Sequence, residues 1–91
     1  VGLSITIEIA RYYNLPVSRG ILITKVADGS PAEAAGIGEG DIILQIDNVE
    51  LRRIEDLVIE VHKRKVGDSV RVFALSNGRE RYFVLAMTEA P

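Results

Sequence analysis

Cysteine is absent from the 91-residue sequence and histidine occurs once. Disulfides are therefore excluded, and so is a structural metal site built from Cys and His ligands. No cofactor is implied. The lack of cysteine does not fix a compartment, because an oxidising environment permits disulfides without requiring them. A basic surplus is also missing. The 11 Lys and Arg residues stand against 13 Asp and Glu, a net charge of −2, so the electrostatic footprint of a nucleic-acid binder is lacking and nucleic acid is not an expected partner. The apolar stretches, such as Ile42 to Leu44, fall far short of the roughly 20 residues that span a bilayer, so direct membrane insertion is not expected. No signal peptide pattern is present. The chain opens on Val1 without an initiator Met and is expected to be a piece of a longer protein.

Catalytic constellations are equally scarce. The five serines, Ser4, Ser18, Ser30, Ser69 and Ser76, lie in no Gly-x-Ser-x-Gly elbow, and there is no His-Glu-x-x-His. His62 begins a basic stretch, His62-Lys63-Arg64-Lys65, that a helix dipole and solvent explain. Gly36-Ile37-Gly38-Glu39-Gly40 follows a predicted helix, whereas a phosphate loop must precede one, so its expected role is turn geometry. The neighbouring acids Glu55-Asp56 suit the first turn of a helix better than general acid/base work. The chain by itself is not expected to be an enzyme.

What is present is material for one small folded domain. Hydrophobic residues make up 47% of the chain, enough for a core and too many for a disordered tail. Leu3, Ile5, Ile7 and Ile9 alternate with Ser4, Thr6 and Glu8, the period of a half-buried strand, although Glu8 to Tyr13 also fits a short helix stopped before Pro16. Ile21 to Val26 and Ile42 to Ile46 read as strands. Between them, Ser30-Pro31-Ala32-Glu33-Ala34-Ala35-Gly36-Ile37 carries an N-cap, a first-turn proline, a Ser-x-x-Glu capping box and a Schellman ending, which predicts a short helix. Arg53 to Lys65 is the long helix, with Ile54, Leu57, Val58 and Val61 on one apolar stripe. Val70 to Leu75 and Arg81 to Met87 form a hairpin about Asn77-Gly78, a pair suited to a type I′ turn. Residues 88–91 are expected to be a tail beyond a domain of residues 1–87. Strands dominate without βαβ alternation. The expected architecture is a small, partly open antiparallel sheet or barrel of five to six strands, covered by one long and one short helix.

The run Gly29-Ser30-Pro31-Ala32-Glu33-Ala34-Ala35-Gly36-Ile37-Gly38-Glu39-Gly40-Asp41-Ile42-Ile43 resembles the GSPAxxAGIxxGDII stretch of bacterial and archaeal PDZ domains. Leu15-Pro16, Gly20-Ile21-Leu22-Ile23, Ile54-Glu55-Asp56-Leu57, Val66-Gly67-Asp68 and Asn77-Gly78 follow in the order seen in PDZ domains of HtrA (Deg) serine proteases. The resemblance spans essentially the whole chain. It implies the circularly permuted bacterial form of the fold, in which the loop that binds a ligand's carboxylate stands first. That loop maps to Val1, Gly2 and Leu3, and the strand on which a peptide lies maps to Leu3, Ser4, Ile5 and Thr6. Glycine lets the backbone turn its N–H groups toward one point, which suits a carboxylate.

On the helix side, the resemblance maps the groove-facing positions to Ile54, Val58 and Val61, with Leu57 in the core. The stripe alone, without the loop, favours a helix whose apolar face is simply core. PDZ domains that select Ser or Thr two residues before the ligand's end carry His at the position of Ile54. An isoleucine gives no partner to a hydroxyl, so an apolar or aromatic ligand residue is expected there. The sequence departs from the family pattern with Arg53 at a capping position and Val66 in place of a common proline, and the residue before the loop is not in the chain.

The implied function is binding of C-terminal or extended peptides of unfolded or misassembled proteins. The chemistry would lie in a serine protease domain elsewhere in an extracytoplasmic parent, membrane-anchored or secreted. The same motifs also occur in site-2 membrane metalloproteases and C-terminal processing proteases, and a non-binding assembly role is the third alternative.

Overall fold

The computed structural model describes residues 2–17 and 19–87; Val1, Ser18 and residues 88–91, which include the start of the expected loop and the expected tail, lie outside the described residues. Strand β1 (Gly2–Ser4) is followed by helix α1 (Ile7–Tyr12), β2 (Ile21–Ile23), α2 (Pro31–Ala35), β3 (Ile42–Ile46), β4 (Val49–Glu50), α3 (Ile54–His62), β5 (Ser69–Ser76) and β6 (Arg79–Ala86). The sheet runs β1-β2-β3-β5-β6, antiparallel throughout, and β4 continues the β2 side of β3. It does not close, so β1 and β6 are its two edges.

Local chemistry sets the element ends. The alternation in Leu3 to Ile9 does not continue as a strand, because Thr6 takes an extended conformation and its hydroxyl accepts the Ile9 N–H at 3.2 Å, capping α1. Ser30 caps α2 as expected, accepting the Glu33 N–H at 3.2 Å. The Glu33 carboxylate reaches back to the Gly29 N–H rather than to that of the cap residue itself. At the other end the Ile37 N–H bonds to the Ala32 carbonyl, closing the Schellman motif. The glycine-rich segment after it is a turn held by the buried Asp41, whose carboxylate accepts the Gly38 N–H at 2.9 Å.

Two apolar layers flank the sheet. Ile21, Ile43, Ile46, Leu51, Val70, Val72, Ala74 and Phe83 form the main core, against which Ala32 and Ala35 of α2 and Ile54 and Leu57 of α3 pack. Ile5, Ala10 and Ile42 form the second, joined by Leu15, Leu22, Leu44 and Leu75. A register shift between Ile43 and Gln45 lets Ile43 and Ile46, three residues apart, face the same layer.

Helix α3 is shorter than expected at both ends. Its last turn tightens through an Arg64 N–H bond to the Val61 carbonyl, and the Arg64 side chain leaves the helix for an ionic cluster. The guanidinium donates to Asp47 in the β3–β4 turn at 2.8 Å and to the nearly buried Glu60 at 3.1 Å, while Lys63 donates to Glu60 at 3.0 Å. Hydrogen bonds from Arg64 and from the Arg71 amide hold the Asp47 carboxyl below its usual range, and Lys63 and Arg64 do the same for Glu60. Both carboxylates are depressed, so their contribution is complete above about pH 4.5 and is lost as pH falls through their folded-state values. Arg64→Met should cost about 1–2 kcal/mol, or roughly 5–15 °C in Tm. It should also flatten the fall in urea midpoint between pH 5 and 3. An unchanged acid dependence in the variant would remove this cluster as its source.

Candidate functional site

Strand β1 pairs with β2 through Gly2↔Ile23, Leu3↔Leu22 and Ser4↔Ile21. The ladder extends one step further, where the Ile5 N–H donates to the Gly20 carbonyl at 2.9 Å. Hydrogen-bonded and non-hydrogen-bonded positions alternate along an antiparallel strand. With Ile5 bonded toward β2, the backbone groups of Gly2 and Ser4 point the other way, toward the open edge. That edge carries no further strand among the described residues. An unpaired row of amides and carbonyls is a template for another extended chain.

Helix α3 lies beside this edge, joined to it by one specific bond. Ser4 Oγ accepts the Ile54 N–H at 2.7 Å, a contact between residues 50 apart in sequence. Ser4 stands opposite Ile21, a main-core residue, so its side chain projects to the face that α3 covers. The bond satisfies the first amide of α3, one of the N-terminal amides that a helix leaves without an internal partner, and the Arg53 side chain makes no capping hydrogen bond of its own. Asp56 completes the first turn by accepting the Arg52 and Arg53 amides at 3.0 and 3.2 Å, and those two bonds hold its carboxyl below its usual range. No local signal in the sequence identifies the Ser4 partner of Ile54, which lies 50 residues away in the chain.

The expected site residues are placed unequally. Val1 lies outside the described residues, while Gly2, Leu3 and Ser4 form β1. Ile54 is half-buried against the main core, and the row Ile54, Val58, Val61 continues along α3 at i, i+4, i+7. Val58 and Val61 are 46% and 36% exposed, so they are not core residues. Leu57 packs on the core as expected. Ile5 is brought elsewhere: it is buried with Ala10 and Ile42 on the α1 side of the sheet, away from α3. Thr6 has left the strand to cap α1, so the described strand is two residues shorter than expected at that end. Among the described residues there is no cluster of His, Asp or Glu able to hold a metal, and no helix is long and apolar enough to cross a membrane.

Comparison with known proteins agrees with this architecture. The family model for PDZ domains matches residues 3–86. The periplasmic pH-dependent serine endoprotease DegQ of Escherichia coli (strain K12) is 31% identical over 78 residues, 86% of this chain and 17% of that protein. The serine protease Do-like HtrA of Bacillus subtilis (strain 168) is 40% identical over 65 residues, 70% of this chain and 14% of that protein. Among solved structures, the HtrA-type protease AlgW with decapeptide superposes with a TM-score of 0.87 at 26% identity, covering 99% of this chain and 28% of that one. The chain thus spans less than a fifth of the length of these two proteases, and it belongs to the PDZ domain family, in the form resembling the PDZ domains of HtrA-type serine proteases.

Proposed function

We propose that the chain is the peptide-binding module of an HtrA-like serine protease, taking up the C-terminal residues of unfolded or misassembled polypeptides as an extra strand on β1. The observation that carries this reading is the open β1 edge, with Gly2 and Ser4 facing outward, beside a helix that presents Val58 and Val61 half-exposed. Strand addition supplies main-chain hydrogen bonds, and alternate ligand side chains meet Ile54, Val58 and Val61. The segment Val1, Gly2 and Leu3, to which the family resemblance maps the carboxylate loop, receives the terminal carboxylate. The relatives are serine endoproteases, one of them periplasmic, and an HtrA-type relative is described with a decapeptide. These likenesses support an extracytoplasmic protease parent over a metalloprotease. Catalysis then belongs to the rest of the parent protein, and this module tethers substrate or relays an activating signal.

Two buried apolar ligand side chains contribute ~1.5–3 kcal/mol each, and two or three charge-assisted hydrogen bonds ~1.5–3 kcal/mol each. Set against the ordering cost of association, this corresponds to low- to mid-micromolar affinity, suited to sampling chain ends rather than holding them. Titration with free-acid peptides and their amidated twins tests the reading. Amidation should weaken binding at least about tenfold, the loss of one charge-assisted bond or more. Equal binding of the two forms, or NMR shift changes that avoid residues 3–6 and 54–61, would rule the groove out.

A further inference from the structure

We infer that the Ser4 hydroxyl is a detachable clasp on the groove, and that it decides which ligand side chains are admitted beside Ile54. The inference rests on the proposed strand addition to β1. The clasp is the part-buried 2.7 Å bond from the Ile54 N–H to Ser4 Oγ. Among the described residues no other side chain accepts the Ile54 N–H: Arg53 makes no capping bond, and the Asp56 carboxylate accepts the Arg52 and Arg53 amides instead.

The register of the sheet turns this bond into a constraint on ligands. Ser4 projects to the α3 face. A residue added across the open edge directly opposite Ser4 projects to the same face, with its Cβ about 4.5–5.5 Å from that of Ser4. Its side chain is therefore directed toward the first turn of α3, where the clasp lies. At 2.7 Å there is no room for an atom between Oγ and the amide. A ligand side chain at this place opens the clasp and leaves the Ile54 N–H without its acceptor, whereas glycine leaves the clasp shut. Only a side chain that gains more from burial against Ile54 than the hydrogen bond is worth is retained. Ser4 thus acts as a specificity-determining residue, imposing a threshold that large apolar side chains pass and small or polar ones do not.

The test uses two free-acid peptides that differ only two positions before the end, Leu in one and Gly in the other, each with an amidated twin. They are titrated by calorimetry into the wild-type domain, Ser4→Ala and Ser4→Thr. Ser4→Ala should tighten the Leu peptide by roughly 2- to 10-fold, the worth of one net hydrogen bond, and leave the Gly peptide within about twofold. Ser4→Thr keeps a hydroxyl and should retain the wild-type preference. In the wild-type domain the Ile54 amide should lose hydrogen-exchange protection with the Leu peptide and keep it with the Gly peptide, a measurement that decides the matter even where the alanine variant folds poorly. Equal effects of Ser4→Ala on the two peptides, weaker binding of the Leu peptide, or an Ile54 amide indifferent to it would overturn the clasp. If amidation weakens neither peptide, the carboxylate-groove reading fails and the clasp falls with it. Carboxylate-dependent binding with no role for Ser4 would sink the clasp alone.

Discussion

Gly20→Ala is expected to cost about 3–5 kcal/mol, a large part of the roughly 5–14 kcal/mol available to a domain of this size. Gly20 has φ +118°, and a Cβ placed there meets the backbone oxygen of Ile43 at 2.9 Å and the Leu44 and Ile42 side chains at 3.1 and 3.2 Å. The conformational strain adds to a clash with a carbonyl that belongs to the central strand β3 and cannot swing aside as a flexible side chain does. The consequence extends to function, since the Gly20 carbonyl accepts the Ile5 N–H and thereby anchors the end of β1. Urea unfolding should show the midpoint collapsing, and whatever folded fraction remains should bind peptide poorly. Gly78→Ala is the control. It also has positive φ, +77°, but nothing lies within 4 Å of the added carbon, so strain alone acts and the cost should stay near 1 kcal/mol. Equal losses at the two positions would show that packing at Gly20 contributes nothing.

Leu51→Ala should be comparably damaging, at about 2–5 kcal/mol. Leu51 is fully buried in the main core and its amide bonds to the Leu44 carbonyl at 2.9 Å, in the short stretch that leads from β4 into α3. Truncation removes apolar contact and leaves a void that a sheet with this many partners closes only in part. Val58→Ala makes the opposite case on the neighbouring helix. With half its surface in solvent, Val58 should change stability by less than about 0.5 kcal/mol when truncated, while peptide affinity falls. Chemical denaturation and peptide titration of the two variants separate core from groove. Should Val58→Ala destabilise the fold as Leu51→Ala does, the valine is structural and the groove loses one wall.

Several elements were legible because their signals are local. Ser30, Pro31, Glu33 and Gly36 specify the start and stop of α2 within one short run, and Asn77-Gly78 specifies the hairpin turn between β5 and β6. The three-and-four spacing of Ile54, Leu57, Val58 and Val61 marked α3 and its apolar side. The first segment was ambiguous for an equally physical reason. Its apolar residues alternate as in a strand, yet Thr6 also has the chemistry of a helix cap, and the local hydrogen bond to Ile9 prevails over the alternation. Period also fails to say which side of a helix stripe faces the core. Leu57 and Val58 are adjacent in the same apolar stripe, and one packs inward while the other stands half in solvent.

From the sequence alone came the exclusions of disulfides, a Cys/His metal site and a nucleic-acid-binding charge pattern, along with the motif run that marks the PDZ family and the order of the elements other than α1, where strand and helix both fit, and the short strand β4, which sequence reasoning missed. These depend on composition or on residues close together in the chain. Tertiary structure decided two further points: Ile5 faces the α1 side, and the Ser4 hydroxyl accepts the first amide of α3 across 50 residues. An unsatisfied amide at Ile54 must find an acceptor, but periodicity and capping rules look only a few residues away. Which acceptor it finds depends on how the sheet edge and helix are packed together.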